Sequence, residues 1–188
     1  MEYKLLYKGT FMIPEADNAC VITLTDESEK RALSIVTEKE MATEIKNHEQ
    51  HISETKNHLV DVLTHIIKDT QSESYHINIE PVRDMGFRAK LVCESTKTAY
   101  ELRIDDAILL SLTAGFPIYA SLDVLQHFST PYNKNVMSVA LPILSLPDSL
   151  LQKALDKAIQ EENYEGASYI RDEMKRREDK RKKLNLFE

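Results

Sequence analysis

The chain has 188 residues, 42% of them apolar, with only 4 Gly and 6 Pro, a composition that can bury a real core and excludes a disordered or fibrous chain. Its formal net charge is −7, and residues 147–188 carry ten Lys or Arg against ten Asp or Glu, so the whole acidic excess lies in residues 1–146; this argues against a plain duplex-binding module, which needs basic residues to neutralise phosphates. No apolar run approaches the roughly 18 residues that span a bilayer, and the N-terminus MEYKLLYKGTF has no basic region followed by an unbroken apolar stretch, so a soluble, cytoplasmic protein with no membrane partner is expected.

A first strand is expected over Tyr3 to Tyr7. A hairpin follows, with Ala19 to Thr25 and Arg31 to Val36 flanking the polar turn Asp26-Glu27-Ser28-Glu29-Lys30. Glu38 to His48 reads as a helix and His51 to Glu54 as a break. Beyond it, Leu59, Val62, Leu63, Ile66 and Ile67 recur at helical spacing and define a face expected to be buried. His51, His58 and His65 are seven apart, too far along a helix to share an ion. The trio His58, Asp61 and His65 lies on a flank of the same helix and reads as solvated surface.

His76 to Val82 and Phe87 to Cys93 are two further strands around the turn Arg83-Asp84-Met85-Gly86. Cys20 and Cys93, the only cysteines, each sit in an apolar run and read as small buried hydrophobes. Next, Tyr100, Leu102 and Ile104 alternate with Glu101, Arg103 and Asp105 in the two-residue period of a half-buried strand. A helix follows, with Asp105 or Asp106 as its N-cap, an apolar face from Ala107 to Leu112, and Gly115 and Pro117 as its stop. Pro117 to Ala120 is a short strand. The alternation of elements predicts an α+β domain, a mixed sheet with packed helices, over residues 1–140.

Pro142, Pro147 and the apolar run between them mark a linker over residues 141–147. Residues 148–188 then form an antiparallel helical hairpin: Asp148 or Ser149 caps a helix carrying Leu151, Ala154, Leu155, Ala158 and Ile159, and a second helix starts near Asn163. Two such short helices do not bury their own stripes, so Leu155, Ile159, Ile170 and Met174 are expected to meet another surface, a separate partner in preference to the first domain. The basic residues from Lys175 to Lys183 are interleaved with Glu178 and Asp179 and read as a solvated helix end.

Two resemblances sharpen this. Arg103, Asp106, Ala107, Gly115, Pro117 and Ile118 resemble the core signature of the bifunctional nuclease domain family, approximately Arg-Pro-Ser-Asp-Ala, an apolar helix, then Gly-x-Pro-Ile; weaker likeness reaches upstream to about Ala19. Ile104 and Asp105 replace the usual Pro-Ser, and Thr55-Lys56-Asn57-His58 stands where the family commonly has Thr-His-Asp. The run Leu155-x-x-Ala158-Ile159-x-x-Glu162-x-Tyr164-Glu165-x-Ala167-x-x-Ile170-Arg171-Asp172-x-Met174 resembles the UVR motif of the B and C subunits of bacterial excision nuclease.

The first resemblance implies hydrolysis of DNA or RNA phosphodiesters. That chemistry needs a cation to stabilise developing charge and a base to activate water. Asp105 and Asp106 are then the candidate base or the ligands of a divalent ion, magnesium or manganese, with Arg103 as phosphate clamp and Glu101 as a further carboxylate on the same strand face. Capping by the aspartates and a structural ion pair at Arg103 are the competing readings. The second resemblance implies a protein-interaction role: the hairpin binds a UVR-bearing protein or a second copy of the chain, and a homo-oligomer is expected. The alternative function is therefore a non-catalytic assembly or ligand-binding protein.

Overall fold

The computed structural model describes residues 2–13, 18–50, 58–69, 73–82, 86–133, 143, 146 and 148–184. The chain divides into two compact units, residues 1–140 and 141–188. The first is built on β1 (Glu2–Met12), β2 (Ala19–Asp26), β3 (Arg31–Glu38), β4 (Tyr75–Val82), β5 (Gly86–Cys93), β6 (Ala99–Leu102), β7 (Ile118–Ser121) and β8 (Ser129–Pro131). Its helices are α1 (Lys39–Glu49), α2 (Leu59–Asp69), α3 (Ile104–Ala114) and α4 (Leu122–Phe128).

The eight strands form one mixed sheet in the order β6-β5-β4-β7-β1-β2-β3-β8. Only β4 and β7 run parallel, and every other neighbouring pair is antiparallel. The parallel pair is what a crossover connection must produce: β5, β6 and α3 intervene between β4 and β7, and α3 returns the chain across the sheet. Ile22, Leu24, Leu33, Ile35, Ile77 and Ile79 from three strands, with Ala107, Ile108, Leu109 and Leu110 from α3, make one buried cluster. Leu112 is half-buried against it. α1 and α2 both pack against α3.

Helix α3 ends as its sequence demands. Gly115 adopts φ 80°, ψ 21°, the left-handed conformation of a C-terminal cap, and its N–H donates to the carbonyl of Ser111. An added Cβ at Gly115 would meet no atom within 4 Å, so Gly115→Ala should cost about 1–2 kcal/mol from backbone strain alone. A thermal melt with no shift would show that the helix ends elsewhere.

Four expectations need correction. The strand β6 stops at Leu102 and α3 begins at Ile104 with Arg103 as its N-cap, so neither aspartate caps the helix and the alternation through Asp105 does not persist. β6 is also an edge strand, and Tyr100 on it is exposed, not half-buried. Helix α2 buries Thr64 and half-buries Val60 and Ile67, while Leu59 is 83% exposed and Val62, Leu63 and Ile66 are exposed as well. The buried face is thus rotated by roughly 110° from the one expected at 3.6 residues per turn. The apolar residues of α2 fill one arc of roughly 160°, and it is the edge of that arc, at Val60 and Ile67, that packs, a choice that spacing alone does not encode. Ile66→Ala should accordingly cost under about 1 kcal/mol, and a large loss in a denaturant titration would restore the buried assignment.

Both cysteines are buried, Cys20 in β2 and Cys93 at the end of β5, where its Sγ donates to Glu73 Oε2 at 2.8 Å. The break over residues 51–54, the turn over 83–85, Thr55-Lys56-Asn57, Pro142 and Pro147 lie outside the described residues.

The second unit pairs α5 (Asp148–Gln160) with α6 (Tyr164–Leu184). Asn163 caps α6, its Oδ1 accepting the Gly166 N–H at 3.0 Å. The helices run antiparallel: Arg177 and Arg181 near the end of α6 both bond Asp148 at the start of α5, and Arg177 also donates to the carbonyl of Leu146 at 2.6 Å. Arg176 and Arg177 share Glu173, and Lys182 pairs with Glu178, so much of the basic run is engaged within the hairpin. Of the expected stripe, Ile170 is buried, Leu155 and Met174 are half-buried, and Ile159 is exposed. Among the described residues no helix is long and apolar enough to cross a membrane.

Candidate active site

Arg103, Asp105 and Asp106 converge at the start of α3, and Glu101 does not join them. With the strand ending at Leu102, Glu101 stays on the exposed face of β6, where Arg88 of β5 donates to it at 2.5 Å. That pairing is diagonal across the antiparallel register in which Lys90 faces Glu101.

Asp105 is 6% exposed and both of its oxygens accept hydrogen bonds. Oδ2 accepts from Thr37 Oγ1 of β3 at 3.1 Å and from Arg103 Nη2 at 2.9 Å, and Oδ1 accepts the Asp106 N–H at 3.0 Å. It ties the first turn of α3 to the end of β3 and fixes the guanidinium of Arg103. Asp105→Ala would strand a buried threonine hydroxyl and should cost about 1–3 kcal/mol, measurable by chemical denaturation; an unchanged midpoint would deny Asp105 its anchoring role.

Asp106 is different. Its side chain is 46% exposed, with Arg103 Nε 3.8 Å from Oδ2. Its carboxyl is pushed above the usual carboxylate range, first by partial burial and then by the charges of Asp105 and Glu44, against the opposing pull of Arg103. A carboxylate raised in this way is a better proton acceptor near neutral pH. Arg103 itself is 69% exposed at its side chain. Held on one side by Asp105, it keeps the rest of its donor fork toward solvent, where a phosphate oxygen can be received.

Asp105 and Asp106 do not by themselves make a divalent-ion site. Oδ2 of Asp105 is taken by Thr37 and Arg103, and the Arg103 guanidinium lies within 4 Å of both carboxylates. Among the described residues no three His, Cys, Asp or Glu side chains are placed to hold a metal.

Glu44 of α1 reaches this cluster electrostatically and is linked in turn to His48, His58 and Asp61; none of the four was foreseen as part of it. Glu44 of α1 acts electrostatically on Asp106, and its Oε1 lies 2.7 Å from His58 Nδ1 at the start of α2. His58 is held more basic than an ordinary histidine, chiefly by that hydrogen bond. His48, on the same face of α1 as Glu44, is buried; its Nδ1 lies 3.0 Å from the carbonyl of Glu44 and its Nε2 3.3 Å from Asp61 Oδ1. Asp61 also accepts the His58 N–H at 3.1 Å and so closes the first turn of α2. The expected trio is split: His58 and Asp61 turn to partners on α1, while His65 stays exposed. Glu44 and His48 are four apart, a signal of a shared helix face, but nothing in the sequence ties that face to His58. A cavity of about 280 Å³ lies elsewhere, lined by Tyr3, Asp26, Arg31, Leu122, Leu125 and Gln126, none of them a predicted site residue.

The model of the bifunctional nuclease domain family matches residues 22–133. That span runs from β2 to just past β8 and includes Arg103, Asp106, Glu44 and His58. No curated protein matches the sequence. Because the match covers more than half of the chain and contains the strand-helix-strand unit that carries the polar cluster, the chain belongs to the bifunctional nuclease domain family.

Proposed function

We propose that the first unit hydrolyses phosphodiester bonds of DNA or RNA, with Asp106 as the base that takes a proton from the attacking water and Arg103 as the clamp on the phosphate. The observation that carries this reading is the contrast between neighbouring aspartates, one buried and bonded through both oxygens, the other half exposed beside an exposed guanidinium. Asp105 is the positioning residue: it holds Arg103 so that the guanidinium is preorganised where charge develops in the transition state. Family membership supports the nuclease class. The test is cleavage of single- and double-stranded DNA and RNA by the full chain, with Asp106→Asn and Arg103→Ala beside it. Arg103→Ala should lower kcat/KM by about 10²–10³, and a variant as active as the parent would remove Arg103 from the mechanism.

A second reading is assembly without catalysis, and the exposed stripe Leu59, Val62, Leu63 and Ile66 on α2 favours it. The hairpin, with its likeness to the UVR motif, would then recruit a UVR-bearing protein or a second copy of the chain. The same stripe makes a homo-oligomer compatible with either reading. Ile66→Glu in the full chain should shift light scattering to a smaller species; identical masses for the two proteins would sink the self-assembly proposal.

A further inference from the structure

The two histidines linked to Glu44 are bonded in opposite ways. His48 is buried with both ring nitrogens engaged, one against the Glu44 carbonyl and one against Asp61, so it acts as an internal brace between α1 and α2. His58 has one nitrogen engaged. Its Nδ1 meets Glu44 Oε1, its Nε2 makes no hydrogen bond among the described residues, and its side chain is 46% exposed. An imidazole oriented by a carboxylate at one nitrogen and open at the other is the arrangement that general acid–base catalysis uses.

We propose that His58, oriented by Glu44, is the general acid of the site, giving the proton on Nε2 to the leaving oxygen while Asp106 accepts the proton of the attacking water. The inference rests on the nuclease reading above and adds to it the residue from α2. In the step, the water oxygen bonds to phosphorus and the bond from phosphorus to the leaving oxygen breaks. The water proton passes to the Asp106 carboxylate, the His58 proton passes to the leaving oxygen, and exchange with solvent restores both groups. Glu44 suits the task because it acts electrostatically on both His58 and Asp106, so one carboxylate of α1 positions the acid and helps keep the base receptive to a proton. The charged and titratable groups facing His58 are Glu44 and His48 from α1, the latter with its ring centroid 5.9 Å away, and Asp61 from α2. The two carboxylates favour the protonated ring, which is the form an acid needs. Glu44 is a positioning residue and does not touch the substrate.

The experiment uses the full chain with fluorescent DNA and RNA oligonucleotides and a p-nitrophenyl phosphodiester whose leaving group needs no proton. His58→Gln should lower kcat/KM on oligonucleotides by about 10²–10⁴ and flatten the alkaline limb of the pH profile, with little loss on the p-nitrophenyl ester. Asp106→Asn should be impaired on both. Glu44→Gln should move the alkaline limb to lower pH, since the ring loses the carboxylate that keeps it protonated. Added imidazole should restore part of the activity of His58→Ala, which a fold defect would not allow. Full oligonucleotide activity in His58→Gln with an unchanged profile, or equal losses on both substrate types with no rescue by imidazole, overturns the assignment of His58 and leaves the nuclease reading standing. Absence of cleavage by the unmodified chain on every substrate overturns both.

Discussion

Asp106→Asn should reduce kcat/KM for nucleic-acid cleavage by about 10²–10⁴, the span that a positioned acid or base contributes, without destabilising the fold. The second half of that expectation follows from the sign of the carboxyl's shift. Its protonation is favoured in the folded chain by burial and by the charges of Asp105 and Glu44. The stability associated with this group is therefore fully present at acid pH and declines as pH rises through its elevated folded value. At neutral pH the ionised form is a burden on the fold, and neutral Asn relieves it. The melting temperature of Asp106→Asn at pH 7 should equal or exceed that of the parent, and the advantage should vanish below about pH 3, where Asp is protonated in both states. Activity and stability thus move in opposite directions, the pattern of a functional group placed at a cost. A variant that is both active and less stable would identify Asp106 as structural.

Ile108→Ala should cost about 2–5 kcal/mol, because Ile108 is fully buried in the cluster that joins α3 to the central strands and its truncation leaves a cavity. For a domain of this size the melting temperature should fall by on the order of 10 °C. The informative comparison is Ile66→Ala, the same change on an exposed helix face, for which a small effect is expected. If the two substitutions cost the same in a thermal melt, α2 is packed through Leu63 and Ile66 against a surface other than the described core, and a concentration-dependent melting temperature would identify a second copy as that surface.

The histidines show how function and local pattern part company. His58 was visible as a polar residue on a helix flank, and a solvated flank was the reasonable reading from spacing alone. Its importance comes from Glu44, fourteen residues earlier on another helix, through a contact that no local period encodes. Glu101 errs in the other direction. Alternation places it with Arg103 and Asp105, but the chain turns from strand to helix at Arg103, and the backbone change sends Asp105 inward while Glu101 remains on the edge with Arg88.

What the sequence by itself determined is most of the elements, α4 and β8 excepted. Apolar runs bounded by turn residues placed the five longer strands, apolar spacing placed α2, α3 and the hairpin helices, and Gly115 stopped α3 because glycine enters the left-handed region without strain. The hairpin of α5 and α6 was legible for the same reason, its short connection forcing the chain back on itself. These are local consequences of backbone sterics and side-chain period. Tertiary structure alone decided which side of α2 is buried, that Asp105 anchors while Asp106 faces solvent, and that Glu44 of α1 both bonds His58 and acts on Asp106. Those outcomes depend on desolvation and charge contributed by residues distant in the chain, and such terms exist only once the sheet has brought its helices together.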